Sequence, residues 1–444
     1  MSRHRFDWVL ASLLLLCGTA IGDTITVCST GCDHTSINDA IDAASNYDLI
    51  VLSAETYREG VVVDTDQKVV TIRGTVDDEG NPTSIIDGQG EHRVLACRSG
   101  ETLLTVFENL VITNGEAEYG AGMFIDESSP TLANCTFAGN EAGVDGGGVY
   151  NASDRWSVMM IGSPNFTNCR FTENHADRHG GGMFNDFSRA RLEGCVFIDN
   201  TSEENGGAVF NDRSNADFTG CGFTGNAADE KGGGMYNQEC TPTLVACDFI
   251  ENEADIGGGM TNRTSDAELT GCLFTENQSD DGGGVYNDES NPLFNGCSFI
   301  GNRSDQGGGM KNTWSSPILD DCVFTGNEGE EGGGIFSRME SDPILTNCRL
   351  WCNLPNSIEG DFTDSKGNCI TSECIECDPK EDGPPDEQAN CPGDIDSNRT
   401  VDGGDLGLLM SAWGSLDPSA DLNHDGRIDG LDLGLILSAW GDCP

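Results

Sequence analysis

Two acidic stretches near the end of the chain have the composition of calcium-binding loops. Residues 394–405 read DIDSNRTVDGGD and residues 421–432 read DLNHDGRIDGLD. Ca²⁺ is a hard cation that binds about six to eight oxygens, and a twelve-residue loop supplies them from positions 1, 3, 5, 7, 9 and 12. The predicted ligands are Asp394, Asp396, Asn398, the Thr400 carbonyl, Asp402 and Asp405 in the first loop, and Asp421, Asn423, Asp425, the Arg427 carbonyl, Asp429 and Asp432 in the second.

The two loops differ at the sixth position, where a sharp turn favours glycine. The second loop has Gly426 there and the first has Arg399, so the second is predicted to bind calcium more tightly. Each loop precedes a helix-like segment, LGLLMSAWG at 406–414 and LGLILSAWG at 433–441. Because metal binding and folding are coupled in small modules, these helices are predicted to need calcium. The alternative is a duplicate that folds without the ion, on a disulfide and the packing of its tryptophans.

A second set of candidate residues is aromatic at seven of its nine positions and recurs along the middle of the chain. Each follows a glycine-rich triplet and one apolar residue, and the set is Phe124, Tyr150, Phe184, Phe210, Tyr236, Thr261, Tyr286, Lys311 and Phe336. The flanking positions are predicted to face inward, so this aromatic column is predicted to face outward. A row of exposed rings would suit the apolar faces of sugars. Alternatively, each ring covers a glycine of a neighbouring repeat and only seals the backbone.

The repeat is interrupted once, after Asn151, by ASDRWSVMMIGS at residues 152–163. The copies around this insertion carry a local basic patch in an otherwise acidic chain, Arg178, His179, Arg189, Arg191 and Arg213. An irregular loop on a rigid scaffold is a common place for function. The predicted glycan-binding set is Tyr150, Arg155, Arg178, Phe184, Arg189, Phe210 and Tyr236. A lyase would also need acids, and those available are Asp154, Asp177 and Asp186; a tolerated loop is the remaining alternative.

A column of carboxylates lies two positions before successive glycine triplets. Its members are Glu204, Glu230, Asp255, Asp280, Asp305 and Glu330. Carboxylates stacked at the spacing of neighbouring strands repel one another, so calcium or solvent must relieve them. The column is therefore either a cation-binding edge or a solvated turn edge.

All these columns belong to one repeat of about 25 residues, which its cysteines mark: Cys135, Cys169, Cys195, Cys221, Cys247, Cys272, Cys297, Cys322 and Cys348. An apolar residue, usually phenylalanine, comes two positions after each cysteine, and an asparagine comes five after it. With 59 glycines in 444 residues and no dense leucine pattern, short strands separated by bends are favoured over helical or leucine-rich repeats. The repeat predicts an all-β solenoid, a parallel β-helix.

The interior of this solenoid can be assigned column by column. The phenylalanines and cysteines are predicted to be buried, the cysteines as free thiols and the asparagines in hydrogen-bonded ladders. Bends before the cysteines fall on small or polar residues that tolerate left-handed dihedral angles, Asn134, Asn168, Gly194, Gly220, Gly271, Gly296 and Asn347. Residues 36–44 are predicted to form a short helix that begins with a capping box at Ser36 and covers the open end of the core.

The net charge and the apolar segments limit where the protein can be located and what it can bind. The net charge is −52, which argues against nucleic acid and anionic membranes. Residues 1–22 have a basic start and an apolar run that is too short to span a bilayer, as in a secretory signal peptide, and no other stretch is long enough for a transmembrane segment. The mature chain is predicted to be secreted, extracellular or at the cell surface, where disulfides form.

The remaining cysteines are expected in local disulfides, and the favoured pairs are Cys28 with Cys32 and Cys391 with Cys443. The predicted domains are a signal peptide at 1–22, the β-helix at 23–368, a Cys-, Pro- and acid-rich linker at 369–390, and a calcium-loop domain at 391–444.

Two parts of the chain resemble known families. TITV, TSINDAIDAAS, DLIVLSAETYREGVVV and VVTIRG resemble the opening of pectin-lyase-like right-handed β-helix proteins. The GGG[MV] and F-x-x-N repeats, such as Phe223-Thr-Gly-Asn226, are similar to those of polymorphic outer-membrane proteins. The two acidic loops with Trp413 and Trp440 resemble a type I dockerin, which implies a small α-helical calcium domain and a cohesin-like docking partner.

The sequence thus indicates a right-handed parallel β-helix with about 25 residues per coil and a dockerin-like module. The function expected is that of an exported glycan-binding or adhesive protein, with a polysaccharide or cell-surface glycan as partner and calcium as cofactor. The alternatives are a polysaccharide lyase or glycosidase carried in an extracellular complex, and a purely structural repeat protein.

Overall fold

The computed structural model describes residues 22–153, 162–371 and 373–374, and in the C-terminal part residues 395, 400–401, 406, 408–409, 412–413, 422, 428 and 441–442. The chain forms two compact units, Met1–Pro379 and Lys380–Pro444. Residues 1–21 of the predicted signal peptide lie outside the described residues, and so do Arg155 and every predicted calcium ligand except Thr400. Within the described part of the chain, no helix has the length and apolar content of a membrane span.

The first unit is a parallel β-solenoid, which confirms the predicted β-helix. Successive coils stack strand on strand into three long sheets and one short one, all parallel. We name the sheets after their sequence columns: the glycine sheet follows the glycine triplets, the leucine sheet carries the Leu or Phe column three residues before the cysteines, and the phenylalanine sheet carries the Phe column. The edge sheet lies between the phenylalanine and glycine sheets along the chain.

The strands have these bounds. The leucine sheet contains Thr24–Val27, Leu49–Leu52, Thr71–Arg73, Val106–Glu108, Thr131–Ala133, Asn165–Thr167, Arg191–Glu193, Asp217–Thr219, Thr243–Val245, Glu268–Thr270, Leu293–Asn295, Ile318–Asp320, Ile344–Thr346 and Thr363–Lys366. The phenylalanine sheet contains Thr56–Tyr57, Ser84–Asp87, Leu110–Thr113, Thr136–Ala138, Arg170–Thr172, Val196–Ile198, Gly222–Thr224, Asp248–Ile250, Leu273–Thr275, Ser298–Ile300, Val323–Thr325, Arg349–Trp351 and Cys369–Ile370.

The other two sheets complete each coil. The glycine sheet contains Val63–Asp64, Leu95–Cys97, Met123–Asp126, Val149–Ala152, Met183–Asp186, Val209–Asp212, Met235–Gln238, Met260–Arg263, Val285–Asp288, Met310–Thr313, Ile335–Arg338 and Ile358–Glu359. The edge sheet contains Glu116–Tyr119, Glu141–Asp145, His175–Ala176, Thr201–Ser202, Ala227–Lys231 and Glu253–Ile256. One complete helix is described, Ile37–Ala43, whose cap Ser36 accepts a hydrogen bond from the Asp39 N–H as predicted.

The core is made of the predicted columns. The phenylalanine rings from Phe137 to Phe324 stack with centroids 4.3 to 5.1 Å apart and are fully buried. The asparagines from Asn140 to Asn353 form a buried ladder in which each side-chain amide donates to the next side-chain carbonyl at 2.8 to 2.9 Å. The ladder cysteines are buried free thiols. All three interior predictions are therefore confirmed.

The bends and disulfides also bear on the predictions. The predicted bend positions have positive φ, for example 49° at Asn134 and 62° at Gly194. The Cys28–Cys32 disulfide is present, whereas the Cys352–Cys374 disulfide was not predicted because Cys352 lies outside the ladder. Cys391 and Cys443 lie outside the described residues.

Among its described residues, the second unit has a buried apolar cluster of its own. Val401, Leu409 and Ile428 are buried together, with Ile395, Ala412 and Leu422 packed against them. Leu406, Leu408 and Leu409 are helical, and the Ala412 N–H donates to the Leu408 carbonyl at 3.1 Å. Thr400–Val401 pairs antiparallel with Gly441–Asp442. These contacts join segments from both predicted loops and leave the dockerin-like assignment as a prediction.

Candidate functional site

The aromatic column lies on the outer face of the glycine sheet, but its rings are not exposed. Tyr150 and Phe184 stack with centroids 5.2 Å apart and planes 2° apart, and Phe184 and Phe210 stack at 4.9 Å. Phe184, Phe210 and Tyr236 are only 6%, 4% and 2% exposed. Because each ring covers the face of the next, no free row of π faces remains for sugars. The predicted exposed platform is therefore wrong for these three buried rings, whose burial fits the alternative that the column seals the backbone; other rings of the column are partly exposed, and its outward direction is right.

A second column covers these rings from the side. We call it the lip, and it consists of the residues directly before the glycine-rich triplets, Tyr119, Asp145, His179, Asn205, Lys231, Ile256, Asp281, Gln306 and Glu331; bridges pair its successive members from coil to coil. The His179 ring lies 4.7 Å from the Phe210 ring and 6.1 Å from the Phe184 ring. Further along, Asp281 reaches the buried Lys311, with 2.5 Å between Oδ1 and Nζ. The lip therefore accounts for the burial of the aromatic column.

The first glycine of each triplet makes this cover possible. Gly180 has a φ of +65°, and any Cβ there would collide with the Met183 carbonyl oxygen. The chain can thus reverse sharply after His179, and the imidazole lies beside Phe184 in the next strand and closer to Phe210 in the following coil. This is the physical reason for the recurrence of glycine beside the aromatic column.

A polar cluster forms on the lip at the coil next to the insertion. Arg178 Nε lies 3.3 Å from Glu204 Oε1, and His179 Nε2 lies 3.5 Å from Glu204 Oε2. Arg178 Nη2 lies 3.3 Å from His179 Nε2. Burial lowers the pKa of His179 to about 4, so the imidazole is neutral near pH 7. The Arg178 and Glu204 side chains are 51% and 38% exposed, which leaves donors and acceptors open to a ligand.

Two titratable groups with shifted pKa values lie beside this cluster. Asp145 is only 7% exposed, and burial raises the pKa of its carboxyl to about 6 against the attraction of Arg178. Within the described residues, Asp145 Oδ1 has no hydrogen-bond partner. Tyr150 OH donates to Asp186 Oδ2 at 3.3 Å, and burial also raises the pKa of Tyr150. Shifted pKa values of this kind cluster at functional sites.

The structure brings together only part of the predicted glycan-binding set. Arg178 meets Phe184 and Phe210 through His179, as described above. Arg189 lies exposed on the turn after the strand Met183–Asp186, where its N–H donates to the Gly162 carbonyl at 3.0 Å. Tyr236 OH lies 3.4 Å from Gln238 Oε1, two coils from His179. Arg155 lies outside the described residues.

The basic patch is largely neutralised. Its members pair with acids one coil further on: Arg178 with Glu204, Arg191 with Asp217 and Arg213 with Glu239. The sequence showed these arginines but not their partners, because the partners are one period away. The residue missed outright is Asp145, because the lip to which it belongs changes its residue type from coil to coil.

The acid column is stacked as predicted. The backbone N–H groups of Glu230, Asp280, Asp305 and Glu330 each donate to a carbonyl of the preceding acid in the column, at 2.7 to 3.0 Å. Apart from Glu204, the column is exposed. This exposure favours the solvated edge that was the alternative to a cation site.

The fold agrees with a sequence family. Two overlapping segments, residues 59–249 and 156–318, match the family described as "Right handed beta helix region". Together they span more than half of the chain, which belongs to this right-handed β-helix family. No curated protein sequence matches the chain significantly.

Solved structures with a similar fold include carbohydrate-active proteins. A mannuronic acid specific polysaccharide family 6 lyase from human gut microbiota is 12% identical, with a TM-score of 0.43 and 78% of each chain covered. A pectate lyase, Pel9A, is 12% identical with a TM-score of 0.33, covering 79% of this chain and 80% of its own. Tailspike protein 2 of bacteriophage CBA120 is 10% identical with a TM-score of 0.31, covering 75% and 44%. Likenesses this distant do not indicate an activity for this chain.

Proposed function

We propose that the protein is an exported, surface-associated β-helix that binds a glycan at the lip beside the interrupted repeat. The observation that carries this proposal is the cluster of Arg178, His179 and Glu204, which lies over the aromatic column and begins in the coil that follows the insertion in the sequence. Sugar hydroxyls need donors and acceptors side by side, and Arg178 and Glu204 offer both to solvent. Because the rings are buried, contact with the glycan is through the polar lip and not through ring stacking.

Retention on immobilised polysaccharides tests this proposal. The mature protein is passed over acidic and neutral polysaccharides in calcium, and Arg178→Ala is compared with Arg303→Ala. Arg303 makes a similar exposed ion pair with Glu328, 2.7 Å from Nη2 to Oε2, on regular coils. We expect Arg178→Ala to weaken retention by at least about tenfold, the loss of a charge-assisted hydrogen bond, and Arg303→Ala to leave it unchanged. Retention unaffected by the double change Tyr150→Ala and Arg178→Ala would exclude this site.

A polysaccharide lyase is the second candidate, and the Tyr150–Asp186 contact beside Asp145 favours it. A lyase removes a proton from the sugar and returns one to the leaving oxygen, so it needs groups that exchange protons in one place. The same incubations are therefore followed for unsaturated uronate products. Unsaturated product that the wild-type protein forms and Tyr150→Phe does not form would support catalysis at this site. If the protein is neither retained on any polysaccharide nor forms product from one, the structural-protein alternative remains.

The C-terminal unit is proposed to be a dockerin-like calcium module that docks a cohesin-like protein. Val401 and Ile428 occupy the eighth position of the two predicted loops and share one buried cluster. Ile395 and Leu422 occupy the second position of each loop and pack against the same cluster. This matched packing is what two paired loops require, and it supports the proposal. Calcium would supply the charge compensation that the loop carboxylates need to fold together.

A further inference from the structure

Three ligand-type side chains converge on the outer side of the edge sheet. One ligand atom from each of His175, Asp177 and Glu203 can be chosen so that all lie within 4.8 Å of one another. His175 Nε2 is 3.4 Å from Asp177 Oδ1. His175 is partly exposed and the two acids are exposed, so the group is open to ions in solution.

The backbone holds these residues in place without help from a ligand. His175 and Asp177 flank Ala176, which is fully buried, so strand alternation directs both outward on the same side. The Asp177 N–H donates to the Ala142 carbonyl at 2.9 Å, and the Glu203 N–H donates to the Ala176 carbonyl at 3.2 Å. Glu203 therefore lies one coil beyond Asp177 at the same height on the sheet. Little reorganisation is needed for the three side chains to act together.

A neighbouring hydroxyl orients the imidazole. His175 Nδ1 lies 2.9 Å from Thr201 Oγ1, on the next strand of the edge sheet. With Nδ1 engaged in this way, Nε2 is the nitrogen that faces the Asp177 carboxylate. Histidine ligands of metals usually have their other ring nitrogen hydrogen-bonded, which fixes the ring and favours binding.

We propose that His175, Asp177 and Glu203 form a site for a divalent transition-metal ion of the Zn²⁺ type. An imidazole nitrogen with two carboxylate oxygens suits such a borderline ion, whereas the hard ion Ca²⁺ prefers oxygen alone. The ion takes three protein ligands and leaves its other positions to water or an external group. A net charge of −52 further concentrates cations at the surface. Because Asp177 and Glu203 directly precede Arg178 and Glu204, the bound ion also clamps the two coils that carry the polar cluster.

Zinc titration of the full-length protein tests the site. Calcium is kept saturating so that the C-terminal loops are filled, and Zn²⁺ binding is followed by calorimetry. The wild-type chain is compared with His175→Gln, Glu203→Gln and the control His92→Gln, which alters another partly exposed histidine. We expect one zinc ion fewer, or binding at least about tenfold weaker, in His175→Gln and Glu203→Gln, and no change in His92→Gln. Thr201→Val should weaken zinc binding less, because it removes only the orienting hydrogen bond.

The result is independent of glycan retention, so the two proposals can fail separately. Circular dichroism of each variant checks that the solenoid is still folded. We expect it to be folded because the changed side chains lie outside the core. Equal zinc stoichiometry and affinity in the wild type and His175→Gln would overturn the site. X-ray absorption of the bound zinc gives a second check, because a first shell without an imidazole nitrogen would also overturn it.

Discussion

Asp145 shows how a single residue on the lip opposes folding. Its carboxyl has a pKa of about 6 in the folded chain, raised by burial from an ordinary value of 3.8. As the pH rises between these two values, the unfolded chain loses its proton first, so the folded state loses stability. The loss of stability caused by the buried Asp145 carboxylate is therefore complete above about pH 6 and absent below about pH 4.

Asp145→Asn should therefore stabilise the protein at neutral pH. We expect the free energy of unfolding at pH 8 to rise by up to about 3 kcal/mol, and to change little at pH 3.5. Urea denaturation at both pH values measures this, with the exposed Asp255→Asn as the control. A difference that is the same at both pH values would mean that the carboxyl is not held by burial. A stability cost kept at one position of a regular repeat is consistent with a functional role.

Residue types predicted the interior of this site better than its surface. Alternation along the strand correctly directs Phe184 outward, but outward does not mean exposed when rings stack from coil to coil. The lip was not recognised because its residue type changes at each coil, from Asp145 to His179 to Asn205 to Lys231. A column is visible in a sequence only when every coil needs the same side chain. A surface that varies around a constant turn leaves no such signal.

At the scale of the strand, the stacked columns carry the stability of the solenoid. Phe223 is fully buried between Phe197 and Phe249, with ring centroids 5.1 and 4.5 Å away. Phe223→Ala removes both contacts and leaves a cavity that the rigid coils cannot close, so we expect a loss of about 3–5 kcal/mol. Thr224→Ala, on the outward side of the same strand, should cost less than about 0.5 kcal/mol. Urea denaturation compares the two, and a loss below about 1 kcal/mol for Phe223→Ala would invert the assignment of inner and outer faces.

The strands and bends could be predicted because each coil imposes the same constraints. Asn140 must donate to Asn174, so every coil keeps an asparagine, and the bend before the cysteine must have positive φ, so asparagine or glycine recurs there. The edge sheet was not predicted, since its strands vary from two residues, as in Thr201–Ser202, to five, as in Glu141–Asp145, and share no recurring residue type. The Cys352–Cys374 disulfide could not be predicted from the repeat either, because it occurs only once.

For the whole molecule, the two units have separate apolar clusters. The solenoid core runs from Val27 to Leu350, while Val401, Leu409 and Ile428 are buried together among the described residues of the second unit. A module as short as Lys380–Pro444 commonly relies on a structural metal for part of its stability. The solenoid has no such need, because its stacked coils bury a continuous interior.

Calcium should therefore act on the C-terminal unit and bind there in two unequal steps. A calcium loop turns sharply at its sixth position, which the sequence predicts to be easy at Gly426 and strained at Arg399. Because Val401 and Ile428 share a cluster, filling one loop favours the other. Calorimetry of the full-length, metal-free protein should show two calcium ions, with Asp421→Ala losing the tighter and weakening the other by roughly tenfold. Asp394→Ala should lose only the weaker step, and the helical circular dichroism signal should rise with calcium. Binding of no calcium up to millimolar concentration, or equal losses in the two variants, would contradict the assignment of the loops or their ranking.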